Sequence, residues 1–150
     1  MEGDAVILIN DSEATKEFIE RSDLIFNPKY DQCIVRMRGD EILGGVTYDS
    51  YYVASISMHV AAFTKNWLNR DFLWVVFHYP FVQLGVATIF LKIQLSNRES
   101  LEFALDLGFK IVVEIDDVFP DGGCAVLSMK KAECRWLDIK PRQVRSNMES

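Results

Sequence analysis

The chain has 150 residues, 49% of them hydrophobic, and a formal net charge of −6. That length and apolar content exclude a disordered polypeptide and predict one domain with a proper core. The acidic balance excludes bulk nucleic-acid binding, which needs a basic face to release counterions; a local basic cluster, Arg135, Lys140, Arg142 and Arg145, stands near the C-terminus.

The elements read in chain order as follows. Ala5 to Ile9 is a continuous apolar run, consistent with a buried strand. Asp11 or Ser12 caps a short amphipathic helix carrying Ala14 and Phe18 and ending near Ser22. Three strands follow: Cys33 to Arg38, Glu41 to Asp49, and Tyr51 to Ala62, with a turn at Gly39 between the first two. Gly44 and Gly45 inside the second mark a bulge or a close neighbour. The third alternates with period two, placing Ile56, Met58 and Val60 on a core face and Ser57, His59 and Ala61 on the other. Arg70 to Leu84 reads as a helix apolar nearly all round and hence buried, kinked or divided by Pro80 and stopped at Gly85. Val86 to Leu91 is the next strand, then a helix capped by Ser96 or Asn97, a strand from Phe109 to Ile115, a loop over Asp116 to Gly123, and a last strand from Cys124 to Met129. Residues 1–136 form the expected single domain and 137–150 a polar tail, with Trp136 as an anchor. The fold class is α/β (α+β): a mixed, mostly antiparallel sheet of about seven strands with helices on both faces.

The three cysteines show no CxxC spacing and no Cys/His cluster, so they are read as reduced thiols of a cytoplasmic protein with no metal site. The N-terminal apolar run is too short for a signal peptide. The apolar stretch Phe72 to Phe81 falls short of the roughly 20 residues that cross a bilayer, so no membrane partner is expected.

The junction between the third strand and the apolar helix organises the chain. Helix N-termini expose N–H groups without intrahelical partners and favour negative charge, and the loop before this one carries the donors Thr64, Lys65, Asn66, Asn69 and Arg70. A phosphate-bearing ligand is therefore expected there.

Several segments resemble the GNAT superfamily of acetyl-CoA-dependent N-acetyltransferases. Ser96-Asn97-Arg98-Glu99-Ser100-Leu101, followed by Leu107-Gly108-Phe109, is similar to that family's N-x-x-S … L-G-F segment. Tyr79-Pro80-Phe81-Val82-Gln83-Leu84-Gly85-Val86 resembles the end of the central helix in the branch that acetylates ribosomal-protein N-termini, and Glu114 to Cys134 resembles its last hairpin. The likeness covers about Val6 to Trp136 and is nearest to short bacterial and phage members. It implies that acetyl-CoA is the co-substrate, with its pantetheine along Met58, Val60, Ala61 and Ala62. It places the pyrophosphate on a loop made of Thr64, Lys65, Asn66, Trp67, Leu68 and Asn69, with Arg70 supplying charge and Asn97 touching the pantetheine. Trp67 and Asn69 stand where the family has glycine, Thr64 stands where it has a basic residue, and Ala104 stands where it often has a proton-donating tyrosine.

Acyl transfer to an amine needs a base. His59, on the polar face of the third strand two residues from Ser57, is the expected base, imidazole being the side chain suited to proton transfer near neutral pH; the other reading is a strand histidine bonded to its neighbours. Glu114, with Asp116 and Asp117, is a candidate for holding a cationic amine or acting as a base through water, or else belongs to a solvated loop. Trp67 either stacks on adenine or plugs the pyrophosphate slot. His78 is read as a core or dimer residue. The expected activity is direct acetylation of a primary amine: a protein N-terminus, a lysine or a small amine. The alternative is a GNAT-fold protein without catalysis that binds a partner or a second copy of itself.

Overall fold

A computed structural model describes residues 5–139 together with Pro141, Arg142 and Asn147. In chain order the elements are β1 (Ala5–Ile9), α1 (Ser12–Ser22), β2 (Gln32–Arg38), β3 (Glu41–Asp49), β4 (Ser55–Ala62), α2 (Arg70–His78), β5 (Thr88–Gln94), α3 (Arg98–Leu107), β6 (Lys110–Phe119) and β7 (Gly122–Lys130). The strands form one seven-stranded sheet in the order β1-β2-β3-β4-β5-β7-β6. Every neighbouring pair is antiparallel except β4 with β5. Helices cover both faces, as expected. α1 packs Ala14 and Phe18 against Cys33, Val35 and Ile42 on one side. On the other side Phe72, Val76 and Phe77 of α2 and Leu101 and Ala104 of α3 pack against Val46, Tyr48, Ile56, Met58 and Leu127. The two adjacent glycines of β3 serve these two layers. A Cβ on Gly45 would meet a ring carbon of Phe18 at 3.0 Å, and one on Gly44 would meet the Trp67 Cβ at 2.8 Å.

Several boundaries differ from those expected, β7 for example running over Gly122–Lys130, and in four elements the reason is local. β4 begins at Ser55 rather than Tyr51, because residues 50–54 make a tight turn. Ser50 and Val53 take positive φ (52° and 66°), and the Ala54 N–H donates to the Tyr52 carbonyl at 2.7 Å across Val53. A left-handed backbone is unusual for a β-branched residue. α2 ends at His78 rather than Leu84. Pro80 has no N–H to give the Val76 carbonyl, and Tyr79–Gln83 continue as a wide turn in which the Leu84 N–H reaches the Tyr79 carbonyl at 2.9 Å. β5 runs over Thr88–Gln94 rather than Val86–Leu91, because the Val86 and Ala87 N–H groups are spent on the Pro80 and Ala54 carbonyls. β6 extends to Phe119 rather than stopping at Ile115, with irregular pairing and a positive φ at Asp117 absorbing the acidic residues.

α2 is fixed to the sheet by a side chain. The Tyr48 hydroxyl donates to the Val76 carbonyl at 2.6 Å, supplying a donor where Pro80 lacks one. Tyr48 is fully buried, and burial raises its pKa well above that of free tyrosine, so the hydroxyl stays a donor. Its ring lies 5.7 Å from that of Tyr79, whose hydroxyl donates to the Gln32 Oε1 at 2.7 Å. Trp136 anchors the end of the domain, as expected, through its Nε1 to the Leu107 carbonyl at 2.8 Å. Arg135 adds a cation at the same carbonyl end of α3. Of the tail, Asn147 bonds the backbone of Ile7 and Ile9 on β1; Lys140 and Arg145 of the basic cluster lie outside the described residues. The three cysteines are buried free thiols, and burial pushes the Cys33 thiol up to about 11. Among the described residues no helix is long and apolar enough to cross a membrane.

Tyr48→Phe should leave the Val76 carbonyl short of a donor in a dry site. We expect a loss of about 1–3 kcal/mol, read as a drop of several degrees in Tm with the fold retained. His78, stacked on Trp74 at 4.1 Å, has its pKa lowered from 6.5 by burial. The unfolded chain therefore binds this proton more readily, and the His78 contribution is present above about pH 6.5 and lost as pH falls below it. In urea titrations at several pH values, His78→Gln should flatten that part of the stability profile.

Candidate functional site

β4 and β5 pair over only three positions, Ser55–Thr88, Ile56–Ile89 and Ser57–Phe90. Beyond them β4 stays with β3, from Met58 opposite Tyr48 to Ala62 opposite Gly44, while β5 stays with β7, from Leu91 opposite Leu127 to Gln94 opposite Cys124. The sheet divides, and a cleft of about 690 Å³ opens between the two halves. Met58, Val60, Ala62 and Trp67 line one wall, Leu91 to Gln94 the other, and Asn97, Ser100, Phe103 and Ala104 of α3 lie across it. Leu24 and Phe119 line it as well. Within the cleft, strand backbones that would otherwise pair with each other face the open space, the arrangement by which an amide-bearing ligand adds to a sheet.

The cleft brings together six of the site residues expected from the sequence: Met58, His59, Val60, Ala62, Trp67 and Asn97. The others are elsewhere. Ala61 points to the opposite face and packs in the α1 layer. Ser57 belongs to the last rung of the β4–β5 ladder and sits opposite Asp49. The loop residues Thr64, Lys65, Asn66, Leu68, Asn69 and Arg70 do not line the cleft. The Thr64 N–H donates to the Leu43 carbonyl, and its hydroxyl is buried without a partner. The Asn66 carbonyl accepts from the buried Arg36 guanidinium, and Leu68 packs against the core. Asn69 caps α2, its Oδ1 accepting from the Phe72 N–H at 2.8 Å; Lys65 and Arg70 are exposed. Glu114 stands on the outer strand β6, opposite Ala125, with β5 and β7 between it and β4. At about 4.8 Å per strand it is some 14 Å from β4.

Of the expected anion loop, the Thr64 N–H, the Asn66 carbonyl and the Asn69 side chain are thus engaged within the protein. Trp67 lies over Gly44, edge-on to Phe72 (ring centroids 6.0 Å apart) and 5.9 Å from Phe103. Gly44 admits that ring where any other residue would collide with it.

His59 has a partner that the sequence reading missed. Its Nε2 lies 2.9 Å from the Asp49 Oδ2, and both side chains are about one-third exposed (33% and 27%). Asp49 and Ser57 are directly opposed on the β3–β4 ladder, with His59 one step further on the same face. A carboxylate on one ring nitrogen holds the proton there and leaves the other nitrogen able to take one. The signal was available in the register, but a third strand read from Tyr51 hides the turn that creates it. Lys92, Gln94, Phe103, Leu24 and Phe119 were also missed, because the long-range division of the sheet brings them in. Among the described residues no group of three or more His, Cys, Asp or Glu is placed to hold a metal ion.

No protein-family model matches the chain, and no curated protein matches it in sequence. Solved structures match it in shape. The spermidine/spermine N-acetyltransferase SpeG of Vibrio cholerae superposes with a TM-score of 0.70 at 10% identity, over 89% of this chain and 96% of that one. The Vibrio cholerae spermidine N-acetyltransferase in complex with CoA and spermine gives 0.62 at 12% identity, over 82% and 77%. The Campylobacter jejuni N-acetyltransferase PseH gives 0.55 at 17% identity, over 81% and 80%. At these identities the likeness is one of fold, and the chain has the GNAT fold.

Gly44→Ala should force the Trp67 Cβ and the loop that carries it away from β3. We expect a loss of about 1–3 kcal/mol, as for overpacked sites generally, together with a shift in tryptophan emission; unchanged stability and emission would contradict the packing described.

Proposed function

We propose that the protein is an N-acetyltransferase that moves an acetyl group from acetyl-CoA to a primary amine by direct attack. The observation that carries this reading is the cleft at the β4–β5 division with the His59–Asp49 pair at its apex. The backbone edges of Met58–Ala62 and Leu91–Gln94 suit the amides of a pantetheine arm. The acetyl thioester then lies near Met58 and His59. The amine nitrogen attacks the thioester carbon, a C–N bond forms and the C–S bond breaks. The amine proton passes to the His59 nitrogen turned away from Asp49, and the departing thiolate takes a proton from solvent, Ala104 offering none. Asp49 holds the ring in position. The acceptor, whether a protein N-terminus, a lysine or a small amine, enters past Leu24 and Phe119. Support for the donor comes from the shared fold, one of whose members is described with CoA bound. A non-catalytic binding protein is the second reading, favoured by Trp67 packed where the family has a loop glycine.

Thermal unfolding with and without acetyl-CoA separates the two. A ligand at 100 times its Kd adds about 2.7 kcal/mol, a shift of roughly 5–10 °C for a domain of this size. No shift at millimolar acetyl-CoA would overturn the enzyme reading. Given a shift, His59→Ala should lower kcat/KM by about 10²–10⁴-fold, the usual worth of a positioned base, and Asp49→Asn should lower kcat while leaving the KM for acetyl-CoA within about threefold. Unchanged turnover in His59→Ala would remove the imidazole from the mechanism.

A further inference from the structure

The walls of the cleft treat the two ends of a CoA thioester very differently. The pantetheine arm is uncharged and carries two amides. The nucleotide end carries three phosphate groups and about four negative charges. A protein holds such an end with helix N-termini or cations. α3 begins in the wall of the cleft and α2 just beyond Trp67, and an asparagine side chain caps each start. At α2, Asn69 takes the Phe72 N–H at 2.8 Å, and Asp71 in the first turn accepts from the Arg142 N–H at 2.8 Å. At α3, Asn97 takes the Ser100 N–H at 3.2 Å and Glu99 sits in the first turn. Each start therefore has a side-chain oxygen on its cap amide and a carboxylate on the positive end of its dipole.

Charge in the walls follows the same pattern. Among the described residues that line the cleft, Lys92 is the one cation, and Glu99 balances it. Lys65 and Arg70 are exposed and outside the walls. At the end of the cleft next to α2 the surface is the Trp67 ring, wedged over Gly44 and against Phe72 and Phe103. The whole chain has a net charge of −6, so it repels a tetra-anion at long range as well.

We propose that the acyl donor is recognised through its acylated pantetheine arm alone, with whatever lies beyond the arm left in solvent at the Trp67 end. A nucleotide, as in CoA, and the phosphopantetheine of a carrier protein are then equivalent sources of the same recognised group. This rests on the acyl transfer proposed above.

The test is steady-state acetylation of a primary amine acceptor by the full chain with three donors: acetyl-CoA, S-acetyl-4′-phosphopantetheine and S-acetylpantetheine. The acceptor is chosen by screening a spermidine, lysine-peptide and N-terminal-peptide panel with acetyl-CoA and S-acetylpantetheine alike. The expected result is kcat/KM values within about tenfold of one another across the donors. The KM for acetyl-CoA should stay flat or fall between 50 and 500 mM salt, since screening relieves repulsion. Adenosine 3′,5′-bisphosphate at millimolar concentration should not compete. The Lys65→Ala/Arg70→Ala double variant should keep the KM for acetyl-CoA within about threefold. A preference for acetyl-CoA over S-acetylpantetheine beyond 100-fold, or a KM that climbs steeply with salt, overturns the inference and leaves the acyltransferase reading standing. Turnover and thermal shift absent with every donor overturn both.

Discussion

The hydrogen bond from the Tyr48 hydroxyl to the Val76 carbonyl holds the molecule's two halves in register. Pro80 interrupts the helix, and the sheet repairs the interruption from below. Tyr48 is also the β3 residue opposite Met58, the first β4 residue past the last rung shared with β5. One rung of the sheet therefore both seats the central helix and supports the apex of the cleft. Mixed sheets ordinarily continue pairing where strands run side by side. Here β4 and β5 part after three rungs, β4 staying with β3 and β5 with β7.

The loop between β4 and α2 shows how a small change of residue type redirects a site. With glycines, its amides would lie bare for an anion to approach. With Trp67 and Asn69 the same length of chain finds its partners within the protein: the indole on the Gly44 surface, the asparagine on the helix amide, and the Asn66 carbonyl on buried Arg36. The loop's side chains are spent on the protein's own packing, and the cleft it borders has mixed polar and apolar walls, with Lys92 as the one cation among the described residues that line it.

Much of the fold was legible in the sequence because strong local signals marked it. The Asp11 cap, the alternation along β4, the Gly39 turn and the apolar α2 each specify an element through chemistry confined to a few residues, and their order is that of the GNAT fold. The cleft was legible where the core-face pattern of β4 reached it, at Met58 and Val60, and at the cap Asn97. Asp49 was not, because its meaning lies in a cross-strand register set by a turn whose strained residue, Val53, looks like an ordinary strand residue. The loop from Thr64 to Arg70 read as a set of donors facing a ligand; tertiary packing turned those donors inward or out to solvent. Glu114 was misplaced for a similar reason. Nearness to the last hairpin in sequence does not say that β7 inserts between β5 and β6.

The turn at Val53 works as a length standard. Ala54, whose N–H closes it, also receives the N–H groups of Ala87 and Thr88 on its carbonyl at 2.8 and 3.2 Å. It therefore fixes which β4 residue stands opposite the start of β5, and three rungs later the strands separate. One residue more or less in that turn would move the point of separation along β4 by about 3.3 Å. Because strand side chains alternate, the same slip would bring an aliphatic side chain, instead of the imidazole, to the apex. A strained valine outside the cleft walls thus sets where along β4 the cleft begins.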